Sequence, residues 1–343
     1  MKTLSEILNQ PSVWETCLKS VTGTDLETLF GAHDPRQESW LFVGCGTSYY
    51  LAQAAAASFT ELLDAPAAAV PASEIMLQPQ LVFAGGRPCF PVLISRSGHT
   101  SEVLQVAEIL RARGVEFLAV TCDGRELEST TPFVLKLPVQ EESTVMTSSF
   151  TSMLLGLQCV AARIAGNQGF IDELHLLPAH LERLLKQYEQ SVEVFAQNHI
   201  EDFAVLGQGA LYAIASEVAL KLMESSSTYA QYFHTLEFRH GPKSIVGPDT
   251  LVCALLSERN LNVEMPVLLE MKQLGSRIAA VVNHAPDALR AQADLLVELS
   301  LPVSELASLV VYVVWGQLLG SYRGLEKGLD PDNPRNLSRV VTI

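Results

Sequence analysis

Glu217, Lys221 and Glu224 stand four and three residues apart in a run, Glu217 to Ser227, that holds no Gly or Pro and is rich in good helix formers. On a helical period the three side chains share one face, so two carboxylates flank one ammonium. Beyond them come Glu237, Arg239 and His240, followed by Gly241-Pro242, a pair that ends any helix. Lys, Glu and His converging from a helix and a loop supply the groups needed to move protons on a small anionic substrate. The competing interpretation is a solvated helix face with ordinary i,i+4 pairing, and taken alone the segment favours it.

A second set of candidates is rich in hydroxyls. Trp40 to Val43 reads as a strand running into Gly44-Cys45-Gly46-Thr47-Ser48 and an Ala-rich helix from Tyr49 to Ser58. Pro91 to Ile94 reads as another, running into Ser95-Arg96-Ser97-Gly98-His99-Thr100-Ser101 and a helix with Val103, Val106, Ala107 and Leu110 on one face. Two hydroxyl-rich turns that each open a helix suit a phosphate, because hydroxyls, backbone N–H groups and the positive helix end all favour an anion. A single Thr100 or Ser101 would be read as a helix cap, but capping does not require so many hydroxyls at two strand ends. The glycine pair Gly44 and Gly46 lacks the third glycine of a dinucleotide fingerprint. The run Ser143 to Thr151 is open between a loop closing over a sugar, with Thr144 as a contact, and a plain capping box.

The elements that must hold these groups alternate between strand and helix. Glu116 to Thr121 and Phe133 to Leu137 complete one series of strands; Phe203 to Leu206, Thr250 to Leu256, Ile278 to Val282 and Leu295 to Leu299 form another. Ser95 and Ser257 lie 162 residues apart, and Gly46 and Gly209 lie 163 apart. Near-constant spacing of strand–turn–helix units implies two copies of one parallel α/β fold, joined through a helical stretch from about Leu176 to Gln197. The copies are chemically unequal: the second carries Gln208, Glu258 and Asn260 where the first carries hydroxyls. The ligand is therefore expected at the strand ends of the first copy.

With 343 residues, 48% hydrophobic and 18% charged, the chain can bury two substantial cores. A net charge of −15 without clustered Lys and Arg argues against a nucleic-acid partner. Six scattered cysteines without a C-x-x-C pair indicate a reducing compartment, and we expect no metal and no cofactor. The amphipathic N-terminus lacks a signal-peptide core, and Leu301 to Leu319, though apolar, is interrupted by Pro302, Glu305 and Gln317. The expectation is a cytoplasmic protein with no membrane partner.

Taken together, Cys45-Gly46-Thr47-Ser48, Ser95 to Thr100, Glu217 to Glu224, His240-Gly241-Pro242 and the tail Asp330 to Leu337 resemble the sugar isomerase, or SIS, family. The resemblance covers nearly the whole chain and points to double-SIS proteins similar to the isomerase half of glucosamine-6-phosphate synthase. It implies two SIS domains, each a flavodoxin-like parallel-sheet α/β/α sandwich. We expect a helical lead-in at 1–34, a first, phosphosugar-binding domain at 35–190, and a second domain at 191–343 whose tail completes the site. It also implies that Thr47, Ser48, Ser95, Ser97 and Thr100 hold a sugar phosphate, with Arg96 where the synthase has Gln. Glu224 falls on the glutamate that shuttles a proton between C1 and C2, Lys221 on a lysine that stabilises an oxyanion or assists imine chemistry, and His240 on the ring-opening histidine. In relatives that histidine reaches a neighbouring subunit, which implies a homodimer with shared active sites.

Two departures from the family pattern bear on the chemistry. The synthase has an N-terminal glutaminase with an N-terminal cysteine, whereas this chain begins Met1-Lys2-Thr3, so we do not expect it to draw ammonia from glutamine. A tail lysine of the synthase that contacts the sugar carbonyl is matched by Arg339, a poor imine-forming nucleophile; Lys327 or Lys221 are the available substitutes. Stand-alone double-SIS proteins include phosphosugar deglycases and amino-sugar-phosphate deaminase/isomerases, and Phe238 to Ser244 is similar to the latter. The expected activity is release of an amine from a hexose 6-phosphate. A ketose/aldose phosphosugar isomerase and a non-catalytic phosphosugar sensor are the alternatives.

Overall fold

A computed structural model describes residues 1–86 and 88–341. The chain divides into two compact units: the first comprises Ser12–Glu141, Ser148–His175 and Ser338–Ile343, the second Met1–Pro11, Glu142–Thr147 and Leu176–Leu337. Thr342 and Ile343, the end of the expected second domain, lie outside the described residues.

In the first unit the strands are β1 (Trp40–Gly44), β2 (Ala67–Pro71), β3 (Phe90–Ile94), β4 (Leu118–Thr121) and β5 (Val134–Lys136). They form a sheet in the order β2-β1-β3-β4-β5, parallel throughout. Every residue of β1 and β3 is buried, as expected of central strands covered on both faces. Helices α1 (Thr47–Leu63), α2 (Ser101–Ala112) and α3 (Ser148–Ala165) cover it. The expected apolar face of α2 meets Val43, Leu93 and Ala119 in one core, and α1 packs against α3.

The second unit repeats the plan. Its strands β6 (Asp202–Gly207), β7 (Tyr229–His234), β8 (Thr250–Leu255), β9 (Arg277–Val282) and β10 (Leu295–Glu298) are parallel in the order β7-β6-β8-β9-β10. Relative to the first strand of each series this is the same 2-1-3-4-5 arrangement, that of the flavodoxin-like fold. Helix α4 (Gln168–Ala196) begins in the first unit and continues into the second, whose other helices are α5 (Ala210–Ser226), α6 (Leu261–Gln273) and α7 (Glu305–Glu326). Gly44 and Gly207, 163 residues apart, solve one packing problem twice: a Cβ on either would collide with the carbonyl of the residue four positions on.

Helix α7 is the apolar stretch that the sequence marks, buried along nearly its whole length against α5. Gly316, Gly320 and Gly324 form its contact stripe; a Cβ there would strike Val218, the Lys221 carbonyl and the Ser225 carbonyl respectively. That close approach fixes the helix carrying Glu217, Lys221 and Glu224. None of the helices is long and apolar enough to cross a membrane, among the described residues. Two strands escape the sequence pattern, β2 and β7. β2 reads Ala-Ala-Ala-Val-Pro, weak in β-formers, and β7 falls in the stretch that the charges made look like helix and loop. Both lie at sheet edges.

Candidate active site

In the first unit two turns meet where the strand order reverses, between β1 and β3, the place where open parallel sheets bind ligands. Gly46, with φ +53°, turns the chain from β1 into α1 and leaves Thr47 and Ser48 buried in the first helical turn. After β3 the Ser95 hydroxyl bonds to the Thr100 hydroxyl at 2.9 Å and accepts from the Gly98 N–H at 3.1 Å; Ser97 Oγ accepts from the His99 N–H at 3.1 Å. Gly98 has φ +66° and lies so near the Gly124 carbonyl that a Cβ would clash, so only glycine fits. Thr100 holds the cap position of α2, yet its hydroxyl makes no cap bond and faces Ser95 instead. The capping interpretation therefore fails for Thr100.

Arg96 is 4% exposed and pairs with Glu141 at 2.9 Å. Glu141 also accepts from the Ser148 hydroxyl and the Ser149 N–H, each at 3.1 Å, which places an acidic group at the N-terminus of α3. The hydroxyl run Ser143 to Thr151 is thus divided. Ser148 onward begins α3 in the first unit, while Glu142–Thr147, with the half-buried Thr144, packs with the second unit. There Ser143 donates to the carboxylate of Glu6 and to the Val145 carbonyl. Arg339 belongs to the first unit, as do Thr47, Ser48, Ser95, Arg96, Ser97 and Thr100.

In the second unit α5 brings Glu217, Lys221 and Glu224 together. Lys221 Nζ lies 3.3 Å from Glu217 Oε1 and is hydrogen-bonded to Glu224 Oε2. The side chains of Glu217 and Lys221 are 0% and 1% exposed and that of Glu224 19%, so this is not a solvated face. Burial pushes the Lys221 pKa down, but Glu217 and then Glu224 outweigh it and the net direction is up. The ammonium stays charged between two carboxylates, and Glu224 is the member that a ligand can reach.

His240 is exposed on the loop after β7, where its N–H donates to the Glu237 carbonyl at 2.9 Å. Phe238 roots this loop in the core, and Glu270 of α6 braces it through Arg239 Nε at 2.7 Å and Lys243 Nζ at 2.9 Å. Sequence reasoning missed Glu270 because nothing links it to the loop before folding. Lys327 donates to the Ser226 and Ser227 carbonyls at 2.7 and 3.2 Å and to Thr228 Oγ1 at 2.9 Å, holding the C-terminus of α5. Among the described residues His199, Glu201 and Asp249 bring three ligand atoms within 4.8 Å of one another; all are exposed, at the starts of β6 and β8 and so at the opposite end of the sheet from the strand-end turns.

Two segments of the chain, 36–163 and 199–317, match the SIS domain family. A solved structure of glucosamine-6-phosphate deaminase from Thermotoga maritima aligns over 100% of both chains at 29% identity, with a TM-score of 0.84. The C-terminal domain of glucosamine-fructose-6-phosphate aminotransferase from Francisella tularensis shares the fold, with a TM-score of 0.87 at 22% identity over 97% of this chain and 98% of that one. Tagatose-6-phosphate ketose/aldose isomerase from Escherichia coli does so as well, at 0.84 and 22% over 97% and 94%. Among curated relatives, glutamine–fructose-6-phosphate aminotransferase (isomerizing) from Methanothermobacter thermautotrophicus is 28% identical over 99% of this chain and 57% of its own length. The chain spans somewhat more than half the length of such relatives.

Proposed function

The chain belongs to the SIS-domain family, and from that premise we propose that it is an enzyme that releases the amine from an amine-substituted hexose 6-phosphate. The observation that carries this reading is the buried Glu217–Lys221–Glu224 triad. A carboxylate at the edge of a water-poor charge cluster, with an ammonium fixed beside it, suits proton transfer at carbon. A full-length match to a solved deaminase supports the same class of chemistry.

In this reading the hydroxyls of Thr47, Ser48, Ser95, Ser97 and Thr100 anchor the phosphate, together with the helix N-termini behind them. Thr144 and Arg339 contribute sugar contacts. His240 assists ring opening. With the amine at C2, Glu224 takes the proton from C2 and returns it at C1, which leaves a C2 imine that water hydrolyses to the ketose phosphate; with the amine at C1 the proton moves from C1 to C2 and the C1 imine hydrolyses to the aldose phosphate. Lys221, hydrogen-bonded to Glu224, balances negative charge as it develops. The protein acts as a homodimer with shared active sites, so mixing Glu224→Gln with His240→Asn protomers restores part of the turnover that either variant lacks; no recovery in mixed dimers argues against sharing.

The test is amine release from a panel of amino-sugar 6-phosphates and sugar–amino-acid 6-phosphates, with the sugar phosphate analysed in parallel. Free amine together with a sugar phosphate, ketose from a C2-amine substrate or aldose from a C1-amine substrate, supports the reading. Interconversion of sugar phosphates without amine shows an isomerase instead, and binding without turnover shows a sensor.

A further inference from the structure

Arg96 lies between Ser95 and Ser97, within the turn assigned to the phosphate, but its side chain is engaged by protein. Nη1 donates to Glu141 Oε2 at 2.9 Å and Nη2 donates to the main-chain carbonyl of Arg339 at 3.2 Å. The Arg96 carbonyl accepts from Thr121 Oγ1 at 3.2 Å, Cys122 N at 3.1 Å and Asp123 N at 2.9 Å. Asp123 completes a ring of contacts, because its Oδ2 takes the Arg339 guanidinium at 3.4 Å. One tail residue is thus gripped twice, through its carbonyl by Arg96 and through its side chain by Asp123, and the two gripping residues are bonded to each other. The pair at the centre, Arg96 and Glu141, is 5% and 1% exposed, so water does not compete for it.

We infer that Arg96 and Asp123 are positioning residues that dock the C-terminal tail against the Ser95–Thr100 turn, holding Arg339 beside the phosphate-binding hydroxyls. Arg96 acts through the tail, and the basic side chain that remains partly open there is that of Arg339, 35% exposed. The inference relies on the phosphosugar reading for the ligand but not for the docking itself.

The experiment measures tryptic cleavage of the Arg339–Val340 bond by mass spectrometry in the full chain. Removing Arg96 alone would strand the buried Glu141, so the first variant is Arg96→Met/Glu141→Gln, whose amide oxygen still accepts from Ser148 and Ser149. The second is Asp123→Ala. We expect cleavage about tenfold faster in the first variant and about threefold faster in the second, from loss of one charge-assisted and one weaker contact. The KM for the phosphosugar should rise severalfold in both with kcat changed little, a split that a general loss of stability would not give. Unchanged cleavage in folded variants overturns the docking. If the double variant does not fold, Asp123→Ala, which alters a part-exposed side chain, decides alone. Faster cleavage in a protein that turns over no phosphosugar leaves the docking standing and refutes the functional reading instead.

Discussion

The turn after β3 and the turn after β8 occupy equivalent places in two sheets of the same strand order, and they are chemically opposed. In the first, hydroxyls of Ser95 and Thr100 bond to each other and backbone N–H groups lean on Ser95 and Ser97. In the second, carboxylates of the chain itself take the donors. Ser257 N donates to Glu264 Oε2 at 3.1 Å, Ser257 Oγ to Glu305 Oε1 at 3.1 Å and Glu258 N to Glu305 Oε2 at 2.9 Å. The first turn thus presents neutral hydroxyls, whereas the donors of the second are already taken by the chain's own carboxyl groups. A duplicated scaffold therefore does not imply a duplicated site; the side chains at the strand ends decide.

The largest effect is expected from Lys221→Met, in the second unit. It leaves Glu217 and Glu224 facing each other in a buried space, which should cost about 3–5 kcal/mol of stability in denaturant unfolding and lessen on acidification, when the carboxylates can take up a proton. A Lys221→Met protein as stable as wild type would mean that the triad is hydrated. Next comes Glu264. Burial, with Glu305 nearby, raises its pKa to about 7, despite the Ser257 N–H. The folded state then holds a proton that the unfolded chain loses near 4.5. The group's contribution is full below about pH 4.5 and falls away as pH rises through 7, by roughly 3 kcal/mol at about 1.4 per unit. Glu264→Gln should flatten that part of the pH–stability curve; an identical slope in both proteins would contradict it.

The smallest effect addresses the turns themselves. Ser95→Ala/Thr100→Ala should weaken phosphosugar binding about tenfold, as expected for losing one or two hydrogen bonds to a charged group, while Ser257→Ala leaves affinity unchanged. Calorimetric titration of the two variants sharpens the comparison if they differ and breaks it if they do not.

The fold was largely legible because buried parallel strands are continuous apolar runs and the repeat doubles every signal. β2 was not, since three alanines carry no strand signature, and β7 was hidden because an edge strand needs only one partner to form. At the candidate site, the spacing of Glu217, Lys221 and Glu224 was readable, whereas their burial was not. Burial depends on the glycine stripe of α7, about a hundred residues further along the chain. Arg96 shows the same limit: the resemblance puts it in the turn that matches the family's phosphate motif, while its contacts with Glu141 and Arg339 arise only through folding.

We propose that Glu224 moves the proton in amine release while ligand binding rests on other groups. This is tested most directly by Glu224→Gln, with amine release and ligand affinity measured on the same sample. Turnover should fall by about 10²–10⁴-fold, the usual worth of a general acid–base group, with affinity within about threefold of wild type. Amine release that persists at the wild-type rate in Glu224→Gln would contradict it.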